Sequence, residues 1–227
     1  MTHFVFTYSA GNAKTSDMFA FESKVEKLLD KTYDFVSDQL GYKRAVRTNV
    51  VLMTRAEFAR RHAGSPQARA AGYWNGHEIV INGGSMIDER FVQVMVHEFT
   101  HAVVADLAGH GNPPRWFNEG LAENMRLSAI GMKGKISERE RDTLLFLKKS
   151  GRLPSVAQLD STFIQLGPGS EVAYFLAAHA AAILVERRGY TRYVDTLREM
   201  KRSNPEEAFE RNYMRVEELD KLIAESL

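Results

Sequence analysis

The stretch from Asp88 to Gly109 constrains the fold more than any other part of the chain. It is the strongest helical segment, carrying Val94, Val96, Val103 and Val104 with no internal proline or glycine. Asp88 is suited to cap its start and Gly109 to stop its end, which predicts a helix of about twenty residues. A helix this apolar has to be covered by neighbouring elements. The segments before it read as mixed: strands over 3–9, 46–53 and 77–82, a helix over 16–39 stopped by Gly41, and a helix near 55–62. A glycine pair at 83–84 closes that half. After it the pattern is helical almost throughout. Pro113-Pro114 starts one helix, another covers 137–149, and a third covers 170–188 and stops at Gly189. Two more cover 190–202 and 205–225, and Gly167-Pro168-Gly169-Ser170 reads as a turn and helix start. The expected class is α+β. An N-terminal α/β lobe (1–109) has a small sheet, a helical lobe spans 110–227, and the 88–108 helix lies between them.

Bulk composition removes several kinds of function. Thirty basic and twenty-nine acidic side chains leave a formal charge of +1, so no net field favours nucleic acid or an anionic membrane. Arg187-Arg188 and Lys201-Arg202 are too sparse to form a nucleic-acid stripe, and Glu138 to Asp142 reads as a solvated helix face. Cysteine is absent, which excludes disulfides, thiolate nucleophiles and cysteine-ligated metals. No segment approaches the roughly 20 apolar residues of a membrane span. Met1 to Ala10 reads as a strand and not as a signal-peptide core. A soluble chain is expected, cytoplasmic or exported with a signal removed upstream of this sequence.

Within the central helix stands His97-Glu98-Phe99-Thr100-His101, an H-E-x-x-H segment. Spacing of i, i+4 puts both imidazoles on one face, one turn apart, so two nitrogens can meet one zinc ion. Glu98 is rotated about 100° from His97 and can reach a water held by the ion instead of the ion itself. Seven histidines in the chain would give this pattern by chance in roughly one such chain in fifty, so context has to carry the assignment. The flanking valines supply it: two histidines facing a core need partners or a ligand.

A catalytic zinc takes three protein ligands and leaves one position open. The seventeen residues from 102 to 118 suffice to finish one helix, reverse through Gly109–Pro114 and begin an antiparallel partner. That path returns Glu119 beside the histidines. Gly120 costs helix stability relative to alanine, so its presence predicts a close backbone approach there. Glu123, one turn after Glu119, is placed to accept a hydrogen bond from the far nitrogen of a ligand histidine.

His97–His101 followed by Asn118-Glu119-Gly120-Leu121-Ala122-Glu123 resembles the gluzincin metallopeptidases, in particular the small peptidase-MA-like branch. The resemblance implies a zincin-like fold, with His97, His101 and Glu119 as zinc ligands, Glu98 as general base and Glu123 behind the ligands. It also implies that strand 77–82 is a substrate-aligning edge strand. Metzincins fit less well, since their pattern needs Gly and His where Val104 and Leu107 stand.

The expected activity is hydrolysis of a peptide or protein substrate by a zinc-activated water. Tyr174, and less so His179, are the candidates for stabilising the oxyanion, against the simpler reading of both as helix packing. His110 reads as a solvated loop residue, and Tyr73 and Trp74 as packing before the edge strand. Two alternatives stand beside this reading: a zinc-binding scaffold without turnover, and a hydrolase of non-peptide amides.

Overall fold

A computed structural model describes residues 3–8, 16–83, 87–132, 135–163 and 170–227. The expected turn at 167–169, residue 9 of the first strand and Gly84 of the glycine pair lie outside the described residues. The fold is α+β, with one small mixed sheet and a majority of helix. The chain divides into two compact units, Met1–Val103 and Val104–Leu227, with the division inside the central helix. No helix among the described residues is long and apolar enough to cross a membrane.

The first unit holds a four-stranded sheet: β1 (Phe4–Tyr8), β2 (Thr48–Met53), β3 (Gly72–Trp74) and β4 (Glu78–Asn82), in the order β1-β2-β4-β3. β1, β2 and β4 run parallel, and β3 pairs antiparallel with β4 through Gly72–Ile81, Tyr73–Val80 and Trp74–Ile79. This corrects the role assigned to 77–82. β4 is an inner strand, and Ile79, Val80 and Ile81 are all buried, as an unbroken apolar run covered on both faces should be. The edge is β3. It joins β4 through a tight turn at Asn75-Gly76, where the Asn75 carboxamide oxygen accepts from the His77 and Glu78 amides at 2.9 Å each. Gly76 there has φ +94°, a conformation that costs glycine nothing.

Helix α1 (Ser16–Leu40) follows β1. α2 (Arg55–Arg61) follows β2 and starts with a reciprocal cap between Thr54 and Glu57. The central helix α3 covers Glu89–Ala108, and the Asp88 carboxylate accepts from the Phe91 amide at 2.9 Å, as its expected cap role requires. Phe99 of α3 packs against Phe4 of β1 and Tyr33 of α1, at ring separations of 5.0 and 5.7 Å. These contacts fix which face of α3 turns inward.

In the second unit α4 (Arg115–Ala129) packs along α7 (Ser170–Met200), with α5 (Glu138–Lys149), α6 (Leu159–Thr162), α8 (Pro205–Asn212) and α9 (Val216–Ser226) around them. The close approach predicted at Gly120 is present: a Cβ there would stand 2.5 Å from the Ala177 carbonyl oxygen and 3.1 Å from the Ala181 Cβ. Phe117 stacks on Tyr193 at 3.9 Å, and the Tyr193 hydroxyl donates to the Phe117 carbonyl. Gly189 breaks helical geometry inside α7 with φ +72°, where the sequence predicts a stop. The single helix expected over 205–225 is two, because Tyr213 leaves helical dihedrals after α8 and α9 begins only at Val216.

Candidate metal centre

Helix α3 buries Val96, Phe99, Thr100 and Val103, and the Thr100 hydroxyl donates to the Val96 carbonyl at 2.7 Å, so it makes no demand on its surroundings. His97 and His101 share the adjacent face and are half-buried. The expectation of core-facing histidines holds only in part: both rings are half-buried, while Val104 and Ala108 further along the same stripe are buried. Their Nε2 atoms stand 3.0 Å apart, with ring centroids at 4.7 Å and planes 81° from parallel. Either one ring donates to the other, or both lone pairs turn toward one cation; the tautomers decide.

The fit to zinc can be tested on that distance. Two imidazole nitrogens, each about 2.1 Å from a tetrahedral ion, lie roughly 3.4 Å apart. The observed 3.0 Å is within a small side-chain adjustment of that spacing. Glu98 is 7% exposed, and one of its carboxylate oxygens lies with the two imidazole nitrogens in a group whose members are all within 4.8 Å of one another. Among the described residues, this is the only trio of His, Asp or Glu side chains with that proximity. A carboxylate so placed reaches a single intervening water.

Glu119, Glu123 and Tyr174 belong to the second unit. Glu119 is half-buried on α4, beside Gly120 and its contact with α7. Glu123 is half-buried and accepts from Arg126 Nε at 2.8 Å, with a second guanidinium nitrogen 2.6 Å from the same oxygen. Tyr174 meets Phe163 edge-on at 5.1 Å. His179 shares a 2.8 Å hydrogen bond with the Ser226 hydroxyl, and burial together with the nearby Arg141 charge lowers its pKa. His110 is exposed, as expected of a loop histidine.

Tyr73 packs against Met53, Phe58 and Val80, with its hydroxyl 3.2 Å from His62 Nε2, in keeping with a packing role. Burial raises its pKa.

No family model, curated protein or solved structure matches this chain.

Sequence reasoning missed Arg44. Its Nη1 donates to the Ala102 carbonyl, next to His101, at 3.1 Å, and its guanidinium lies over the Trp74 ring at 5.6 Å. It therefore ties the edge strand to the helix that bears the histidines. Nothing in the sequence separates Arg44 from Lys43 or Arg47, because its role depends on tertiary placement. A buried network on α4 was also missed: Tyr190 donates to the Asn124 side chain at 2.7 Å and lies 3.0 Å from the Ser128 hydroxyl.

Proposed function

We propose that this chain is a zinc-dependent metallopeptidase of the gluzincin kind, akin to its small peptidase-MA-like branch. The observation that carries the reading is the 3.0 Å approach of the His97 and His101 nitrogens with the buried Glu98 carboxylate beside them. His97 and His101 would hold zinc from α3, and Glu119 of α4 is the proposed third ligand. When bound, zinc would polarise a scissile carbonyl and make a nearby water easier to deprotonate.

The protein's own groups account for the rest. Glu98 takes the proton of the attacking water and delivers it to the leaving amine. Its burial keeps that carboxylate aimed at one place. The open side of β3, the outer strand of the sheet, offers backbone donors and acceptors to an extended peptide. Arg44 holds β3 and α3 in a fixed relation through Trp74 and Ala102. Glu123 is the proposed support for the ligand set, and Tyr174 the proposed donor to the developing oxyanion.

The test is an unbiased peptide mixture incubated with wild-type protein and with Glu98→Gln, alongside zinc analysis of both. Wild type should cleave; the variant should keep its zinc and lose activity by roughly 10²- to 10⁴-fold. Equal cleavage by the two proteins would refute the role of Glu98. No cleavage by zinc-loaded wild type would refute the peptidase reading.

A further inference from the structure

A second feature of the first unit bears on what the proposed peptidase binds. At the start of α3, Arg55, Arg90, Phe91, Val94 and Asp88 line a small surface cleft beside Asn82 at the end of β4. Among the described residues neither the Arg55 nor the Arg90 side chain makes an ion pair or a hydrogen bond. The stem of Arg55 lies across Gly83, with Nε 3.3 Å from where a Cβ would stand, so only a glycine leaves room for it there. The one acid in the cleft, Asp88, is committed to the Phe91 amide as the helix cap. Two arginines and one capping carboxylate therefore make up the charged lining of the cleft.

The cleft is aligned with the histidines. Arg90, Val94, His97 and His101 follow one another at spacings of four, three and four along a single stripe of α3. At 1.5 Å per residue, Arg90 is roughly 10 Å along the axis from His97. Strand β3 runs beside the same stripe. At one end a Cβ on Gly72 would stand 2.7 Å from Val94 Cγ1. At the other, Trp74 lies under Arg44, whose Nη1 holds the Ala102 carbonyl. A peptide paired with the open side of β3 would pass the histidines and reach the cleft. At about 3.3 Å per residue, the two places are roughly three residues apart.

We infer that this cleft recognises a carboxylate of the peptide substrate about three residues from the bond that lies over His97 and His101. The inference rests on the metallopeptidase reading for the position of that bond, but not for the binding itself. A guanidinium pair reads a planar carboxylate through charge-assisted hydrogen bonds. Both arginines are exposed, so the expected preference is modest and fades with salt.

Isothermal titration of the full-length Glu98→Gln protein with three decapeptides tests it. One carries two internal Glu and an amidated C-terminus. The second has Gln in their place and a free terminal carboxylate. The third has Gln and an amide, and bears no carboxylate. At low salt at least one carboxylate-bearing peptide should bind about five- to tenfold more tightly than the third, and which one does identifies the source of the carboxylate. Arg55→Gln/Arg90→Gln should erase the preference while leaving the melting temperature unchanged, and each single variant should reduce it in part. Equal binding of all three peptides, or a preference that survives in the double variant, overturns the inference. If wild type cleaves none of them yet the arginine-dependent preference is present, the peptidase reading falls and the carboxylate site stands. Cleavage with no charge preference sinks only the site.

Discussion

Replacing Gly120 with alanine sets two effects of opposite sign against each other. In an exposed helix the change would stabilise by about 1 kcal/mol, because alanine loses less backbone entropy on ordering. At this position the new Cβ would stand 2.5 Å from the Ala177 carbonyl oxygen, 3.1 Å from the Ala181 Cβ and 3.2 Å from the Ala177 carbonyl carbon. Ordinary contact begins near 3.4 Å, so α4 and α7 would have to part by roughly 0.9 Å at their closest crossing. A backbone carbonyl cannot rotate aside as a flexible side chain would, so the overpacking cost sits toward the upper part of the usual range of about 1–3 kcal/mol. The net expectation is a loss of about 1–2 kcal/mol, or a melting point lower by roughly 2–8 °C. Urea unfolding followed by tryptophan fluorescence suits the measurement, since Trp116 is buried on α4 itself. A variant as stable as wild type, or more stable, would show that helix propensity outweighs the contact and that the crossing is looser than described.

Three further outcomes are expected. His97→Ala and His101→Ala should each weaken zinc binding by at least about a hundredfold, measured by competition with a chromophoric chelator; unchanged affinity in both would remove the ligand assignment. Glu119→Ala should weaken zinc binding in the same chelator competition, and full zinc affinity in it would exclude Glu119 as the third ligand. His179 supplies a pH dependence. Its folded pKa lies below the ordinary 6.5, so its contribution to stability is fully present above 6.5 and is lost as pH falls through the folded value. Between pH 7 and 5 wild type should therefore lose more melting temperature than His179→Gln, which keeps a partner for Ser226; equal losses would show that another group governs the response.

The parts of this account that were legible in the sequence are those set by local spacing. The i, i+4 histidines and the caps of α3 follow from helical period and capping chemistry, and the structure places Asp88 at its cap. Gly120 was legible because a helical glycine costs stability unless something needs the space, and Ala177 does. The Asn75-Gly76 pair is a strong hairpin signal that the reading passed over. Missing it hid β3 and assigned the edge to β4, though the unbroken Ile79-Val80-Ile81 run already favoured an inner strand. The break at Tyr213 lies in a segment whose helical pattern continues on either side, so period alone could not find it. Arg44 was invisible because its partners, Trp74 and the Ala102 carbonyl, are distant in sequence and one of them is backbone.

Zinc K-edge X-ray absorption on zinc-loaded wild type and Glu119→Ala tests the convergence of side chains on one ion most directly. Wild type should show two imidazoles at about 2.0–2.1 Å plus carboxylate and solvent oxygen, and the variant should keep both imidazoles with the carboxylate gone. A spectrum lacking the multiple scattering of imidazole, or protein that retains no zinc after desalting, would contradict the account.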